Sequence, residues 1–262
     1  MKVSDIVAPL EEAAPLFLQE SYDNAGLLVG NPDVEINSAL VCVDVTEAVL
    51  DEAVTLGAGL IISHHPLMFH PLRHIVGATY IERAVATALR HDIAIYASHT
   101  NLDSAPGGMS FELGRLLELC DMELLDGGNH AMPGAGFGVI GNLQEPVPTM
   151  DFLYMVKERL GVGCVRYSNV VRNVTSRVAL CTGAGASMME DARRAGADVY
   201  VSSDFRYNNF LDADRDLVIA DIGHFESEYC AIGLICEIIR KKIANFALYK
   251  SSQSVNPVNY LI

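Results

Sequence analysis

Short β-branched runs alternate along the chain with stretches whose apolar residues recur at helical spacing. SALVCVDV, from Ser38, is a nearly unbroken apolar run of the kind that makes a buried strand. Thr46 follows as a helix N-cap, ahead of Ala48, Val49, Ala53 and Val54 at helical spacing. AGLIISHH, from Ala58, reads as a second strand ending in polar residues. Residues 78–91 read as a helix, and DIAIYASHTNLD, from Asp92, as a third strand with its exit loop. Ser104 and Pro106 then open a helix that runs through Cys120. This strand–helix alternation predicts parallel pairing.

The second half repeats the scheme. SRVALCTGAG is a strand and Gly-rich turn, and SMMEDARRAG a helix with Gly196 near its end. ADVYVSSD and DLVIADIGH are strands, followed by a long helix from about Phe225 to Ile243. GGNHAMPGAGFG, rich in Gly and Pro, reads as the linker. A shift of 139 residues lays LVCVDVTEAVLDEAVTLGAGLIISHH over ALCTGAGASMMEDARRAGADVYVSSD, with Gly57-Ala58 on Gly196-Ala197 and Ser63 on Ser202. A shift of 125 puts His99 on His224 and Asp103 on Glu228. Two such matches in the same order predict an internal duplication: two similar α/β lobes, 1–125 and 126–262.

The chemistry gathers at the strand ends, where parallel α/β sheets collect their ligands. Ser63-His64-His65, the stretch His99 to Asp103, and His224 with Glu228 all fall there. Adjacent residues of a regular strand point to opposite faces, so His64 and His65 converge only if the chain bends, and Pro66 favours a bend. His224 and Glu228 stand four apart where a helix begins, which puts both on one helical face. Three imidazoles and two carboxylates suit two adjacent divalent ions of zinc, iron or manganese. Such ions, about 3.5–4 Å apart, activate a water and clamp a leaving atom. His99 is a candidate catalytic residue or an orienting partner for a ligand, and Glu228 the second catalytic candidate. Each motif alone has a plainer reading. The His pair could be polar packing, His224 and Glu228 a solvated helix face, and Asp103 a turn residue or cap. His70 and His74 read as surface loop residues, and Asp23-Asn24 as a turn signal before an apolar strand. PGG at 106–108 is too short for a phosphate loop and lacks its Lys, and no nucleophile elbow is present.

Composition narrows the classes. Of the 262 residues, 50% are hydrophobic and 19% charged, enough for a large core and against disorder. The formal net charge of −15 repels phosphate backbones, so non-specific duplex nucleic acid is not an expected partner. Six scattered cysteines without a C-x-x-C pair read as buried free thiols in a reducing compartment. With no signal-peptide pattern at the N-terminus and no apolar run of ~18–20 residues, a cytoplasmic protein off the membrane is expected.

SYDNAGLLVG, VCVDVTEAVLDEA, IISHHPLMF, YASHTNLDSAPGG and DIGHFESE together resemble the signatures of the YbgI-like family, whose members carry the name GTP cyclohydrolase 1 type 2 homologue. The motifs run in order from position 21 to 228. The resemblance implies two similar α/β lobes with a di-metal cleft between them, and a ring-shaped homohexamer. It implies His64, His65, Asp103, His224 and Glu228 as metal ligands, with Glu228 bridging. Some relatives carry an inserted domain between the lobes; here Asp126 to Gly138 is only a linker, the short form. Relatives often have a His after an Arg/Lys-Tyr pair, where this chain has Asn208 after Arg206-Tyr207. The name implies a hydrolase in which metal-activated water attacks a purine ring carbon of a small nucleotide-like substrate. The alternative is a non-catalytic metal-binding, metal-delivery or regulatory scaffold.

Overall fold

The computed structural model describes residues 1–126, 132–213 and 215–261, and its chain forms two compact units. The first comprises Met1–Ala105 and Ala231–Val255, the second Pro106–Cys230 and Asn256–Ile262.

The sheet of the first unit contains β1 (Gly26–Val29), β2 (Ser38–Cys42), β3 (Leu60–Ser63) and β4 (Ala94–Ala97). Their order is β1-β4-β3-β2, and a last strand, Ala247–Lys250, lies beyond β2. β2, β3, β4 and Ala247–Lys250 run parallel, and β1 is antiparallel to β4. β2, β3 and β4 are buried at every position, as unbroken apolar runs should be. Leu40, Cys42, Ile61 and Ile95 pack in one cluster with Val49, Leu50 and Ala53 of the helix Glu47–Leu56 and with Ala84, Val85 and Ala88 of the helix Tyr80–Arg90. Truncating the fully buried Leu50 to Ala would cost about 2–5 kcal/mol. Thr46 caps the first of these helices, its hydroxyl accepting from Val49 N at 3.2 Å, and Gly57 ends it at φ 64°.

The second unit contains β5 (Cys120–Leu124), β6 (Val139–Pro148), β7 (Arg166–Tyr167), β8 (Val174–Leu180), β9 (Val199–Ser202) and β10 (Val218–Asp221). Their order is β5-β6-β8-β9-β10-β7. β8, β9 and β10 are parallel and the other pairings antiparallel.

The duplication is present in the pairing itself. Ala39 faces Leu60 and Val41 faces Ile62; 139 residues on, Val178 faces Val199 and Leu180 faces Val201. Each unit adds a third parallel strand, then a short antiparallel one: β4 and β1, β10 and β7. Ser63 pairs with Ala97, and Ser202 with Asp221. His99 therefore stands two residues past its paired position and His224 three. The extra residue is Gly223, at φ 88°.

Three expected helices differ. The helix expected from Ser104 through Cys120 is shorter, Met109–Leu116, and Cys120 opens β5, while a second short helix, Thr100–Ser104, forms in the expected exit loop. Pro106 and Gly107, the latter at φ 69°, separate the two helices. The long helix after DLVIADIGH is His224–Glu228 followed by Cys230–Lys242. SMMEDARRAG begins in a 3₁₀ turn, Gly185–Met188, before the helix Met189–Arg194. The proposed linker lies partly outside the described residues. No helix among the described residues is long and apolar enough to cross a membrane.

Candidate metal centre

In the first unit the site begins where β3 ends. The chain continues hydrogen-bonded to the end of β2, with His64 N donating to Cys42 O at 3.1 Å and His65 N to Val43 O at 3.0 Å. Strict alternation would send the two rings apart, yet their centroids are 5.1 Å apart. The strand has turned ahead of Pro66, as the sequence suggested. His99, past the end of β4, joins them at 5.3 Å from His64 and 5.4 Å from His65. Ligand nitrogens of all three imidazoles lie within 4.8 Å of one another. Asp103, on the helix Thr100–Ser104, brings Oδ1 to 3.7 Å from His64 Nε2. That exceeds a hydrogen bond and suits two ligands of one ion.

What makes this a metal-competent set is where the other ring nitrogens go. His64, fully buried, places Nδ1 2.9 Å from Ser98 O. A carbonyl only accepts, so Nδ1 carries the proton and Nε2 presents a lone pair. His65 Nδ1 stands 2.8 Å from Asp44 Oδ1, and His99 Nδ1 2.8 Å from Asp23 Oδ1. Acceptors on Nδ1 that fix tautomer and ring angle are what metal-bound imidazoles require. Asp23 is buried, which alone would raise its pKa. Hydrogen bonds from His99 and Thr100, the charge of His99 and the Asn24 amide outweigh burial and hold it down at about 2. Its Oδ2 also accepts from the Thr100 amide at 3.0 Å and from the Thr100 hydroxyl.

The second unit holds the counterpart. Gly223 turns the chain at the end of β10, and His224 opens the short helix on which Glu228 follows one turn later. The i,i+4 spacing places His224 Nε2 3.0 Å from Glu228 Oε2, with the carboxylate buried. His224 Nδ1 meets Asp204 Oδ2 at 2.7 Å. Asp204 itself sits in the left-handed region, at φ 57°. Gly183, at φ 63° past β8, lies against this pair. A Cβ there would stand 2.3 Å from Glu228 Oε1 and 3.6 Å from His224 Cε1, so only glycine leaves the carboxylate its place. Ser227 fixes the turn, its hydroxyl accepting from Gly183 N at 2.9 Å and donating to His224 O at 2.8 Å.

The first unit thus gathers His64, His65, His99 and Asp103, and the second gathers His224 and Glu228. His70 and His74 are exposed outside helices and strands, as read from the sequence. Sequence reasoning missed the acceptors Asp44, Asp204 and Ser98, and took Asp23 for a turn residue. One signal was available: under the shift of 139, Asp204 falls on His65, so a residue matched to a candidate ligand was itself polar. These residues fit divalent metals, offering imidazole and carboxylate donors on preset rings.

A family model, Duf34/NIF3 (NGG1p interacting factor 3), matches residues 1–257. A Clostridium perfringens protein named GTP cyclohydrolase 1 type 2 homolog is 31% identical over 263 residues, covering 100% of both chains. A Lactococcus lactis protein of the same name is 33% identical, covering 98% of each. Among solved structures, a hypothetical protein of Staphylococcus aureus superposes with a TM-score of 0.92 at 26% identity, over 100% of this chain and 99% of that one.

Proposed function

The chain belongs to the Duf34/NIF3 family, and from that premise we propose that it is a divalent-metal-dependent hydrolase of a small nucleotide-like substrate. His64, His65, Asp103, His224 and Glu228 are the metal ligands, with zinc, iron or manganese as the metal and two ions per chain. The observation that carries this reading is the fixed Nδ1 of each candidate histidine, on Ser98 O, Asp44 or Asp204. Each arrangement holds Nδ1 as the donor and leaves Nε2 to offer its lone pair.

Bound divalent ions would supply Lewis acidity, lowering the pKa of a water and drawing charge from a reacting oxygen or nitrogen. The chain supplies the proton handling. Asp23 accepts from His99 Nδ1, which leaves His99 Nε2 turned to take a proton from an attacking water, with the Asp23 carboxylate there to balance the charge it would gain. Glu228 is the second catalytic candidate and one of the residues that would hold the metal. The relatives' name supports a purine ring carbon as the point of attack. We further assign the chain to the cytoplasm, where its six cysteines stay reduced, and to a homohexamer.

The test is metal content and turnover on one preparation. Metal-replete parent should hold about two ions per chain and consume GTP or a related nucleotide. Glu228→Ala and His224→Ala should lose both, and His74→Ala neither. Full metal retention in Glu228→Ala and His224→Ala would refute the site. Metal loss in these variants with no turnover by the parent on any nucleotide would move the protein to the scaffold class.

A further inference from the structure

We infer that Tyr22 and Phe69 form an aromatic rim beside the histidine cluster of the first unit and stack a flat heteroaromatic ring. This rests on the proposed reading of that cluster and names its substrate class, a ligand recognised through its base. Both side chains stand in loops and expose apolar area that folding leaves unused: Tyr22 is 67% exposed and Phe69 44%. Each is nonetheless tied to the cluster. The Phe69 ring lies 5.5 Å from His99, at 80° to it. Tyr22 directly precedes Asp23, whose carboxylate holds His99 and the Thr100 amide.

The two loops are also fastened to each other. Asn24 Nδ2 donates to Met68 O at 2.6 Å, so the residues next to Tyr22's own neighbour and next to Phe69 are joined. The Asn24 amide in turn donates to Asp23 Oδ1 at 2.7 Å. The bond between the two loops limits how far they must reorganise when a ring stacks on them. The Tyr22 hydroxyl, a phenol protonated at neutral pH, is a donor for a ring nitrogen or carbonyl. The groups that make the cluster are imidazoles and carboxylates, and the chain's net charge is −15. A neutral π-face is a handle on the base that does not depend on the charge at the cluster.

The experiment uses full-length, metal-replete protein and two probes, GMP and ribose 5-phosphate, the second lacking the base. Affinities are measured by calorimetry for the parent, Tyr22→Leu, Phe69→Leu, the double variant and the conservative Phe69→Tyr. We expect the parent to prefer GMP. Each Leu variant should weaken GMP by ~10-fold, the scale of base–aromatic stacking, while leaving ribose 5-phosphate and metal content unchanged. Phe69→Tyr should bind GMP as the parent does. GMP affinity unchanged in the double variant would overturn the inference and leave the metal site standing, as would a parent that binds both probes equally. A change of native mass in the Leu variants would overturn it too, assigning the rings to a subunit contact. A parent that holds metal and binds neither probe would remove the nucleotide reading, and this inference with it.

Discussion

Each candidate histidine is a donor at one nitrogen so that the other can be a ligand. Asp204 states the case most sharply, because it occupies a left-handed conformation that most side chains avoid and spends its carboxylate on His224 Nδ1 at 2.7 Å. Asn tolerates that backbone and keeps an oxygen acceptor, whereas Ala keeps neither advantage. Asp204→Ala should weaken divalent-metal affinity by roughly 10–100-fold, and Asp204→Asn by less. Chelator competition on each purified variant reads this directly, and parent-like affinity in Asp204→Ala would show that the pair orients nothing. The contrast explains what was legible at this scale. His64-His65, Asp103, His224 and Glu228 could be singled out because each sits in a compact motif at a strand end. Asp23 is far from His99 in sequence, and Asp44 and Asp204 are each about twenty positions from their histidines. Within its own neighbourhood each reads as turn chemistry, so no local rule joins it to a ring.

The buried parallel strands were legible among the elements because apolar runs closed by polar residues have few other readings. The shared register of β2–β3 and β8–β9 follows from the same repeat. β5 and β6 were not legible, for physical reasons. CDMEL is buried at no position, and β6 is buried only over Val139–Gly141 before an irregularity and two prolines, which read as loop. Helix starts were better marked. Thr79 caps Tyr80–Arg90 by accepting from Glu82 N at 3.2 Å, and Glu82 Oε2 reaches back to the amides of Val76 and Ala78, both at 3.0 Å. Those amides favour the charged carboxylate and hold its pKa below the ordinary glutamate value. A group depressed on folding contributes stability above its unfolded pKa and loses it as pH falls through the folded one. Glu82→Gln should therefore lower Tm near pH 7, and the gap to the parent should narrow as pH falls below the ordinary glutamate pKa of about 4.3 and close only below the lowered folded value. Thermal melts across that range check it; a gap independent of pH would mean that the carboxylate's charge contributes nothing there.

Pairings that span the whole molecule leave the faintest trace in sequence. Ala247–Lys250 pairs with β2 from the far end of the chain, Ala247 on Ser38, and no periodicity forecasts a partner at that distance. Assembly is a larger case of the same problem, since its signal is surface rather than pattern. The proposed hexamer rests on family resemblance, and electrostatics works against it: each 28.4 kDa chain carries a formal −15, so six copies repel one another. Exposed apolar side chains such as Phe17, Val76, Tyr154 and Tyr207 give the compensating term if an interface covers them, at roughly 25 cal/mol per Å². Repulsion is screened beyond ~8–10 Å near physiological ionic strength but reaches ~30 Å at 0.01 M, while apolar burial changes little between them. A hexamer held this way should weigh about 170 kDa by light scattering at micromolar protein and ~0.15 M salt, and lose mass as salt is withdrawn. A mass near that of one chain at both salt concentrations would refute the assembly. A hexamer that strengthens as salt is removed would keep the assembly but show that charge pairs, not apolar contacts, hold it.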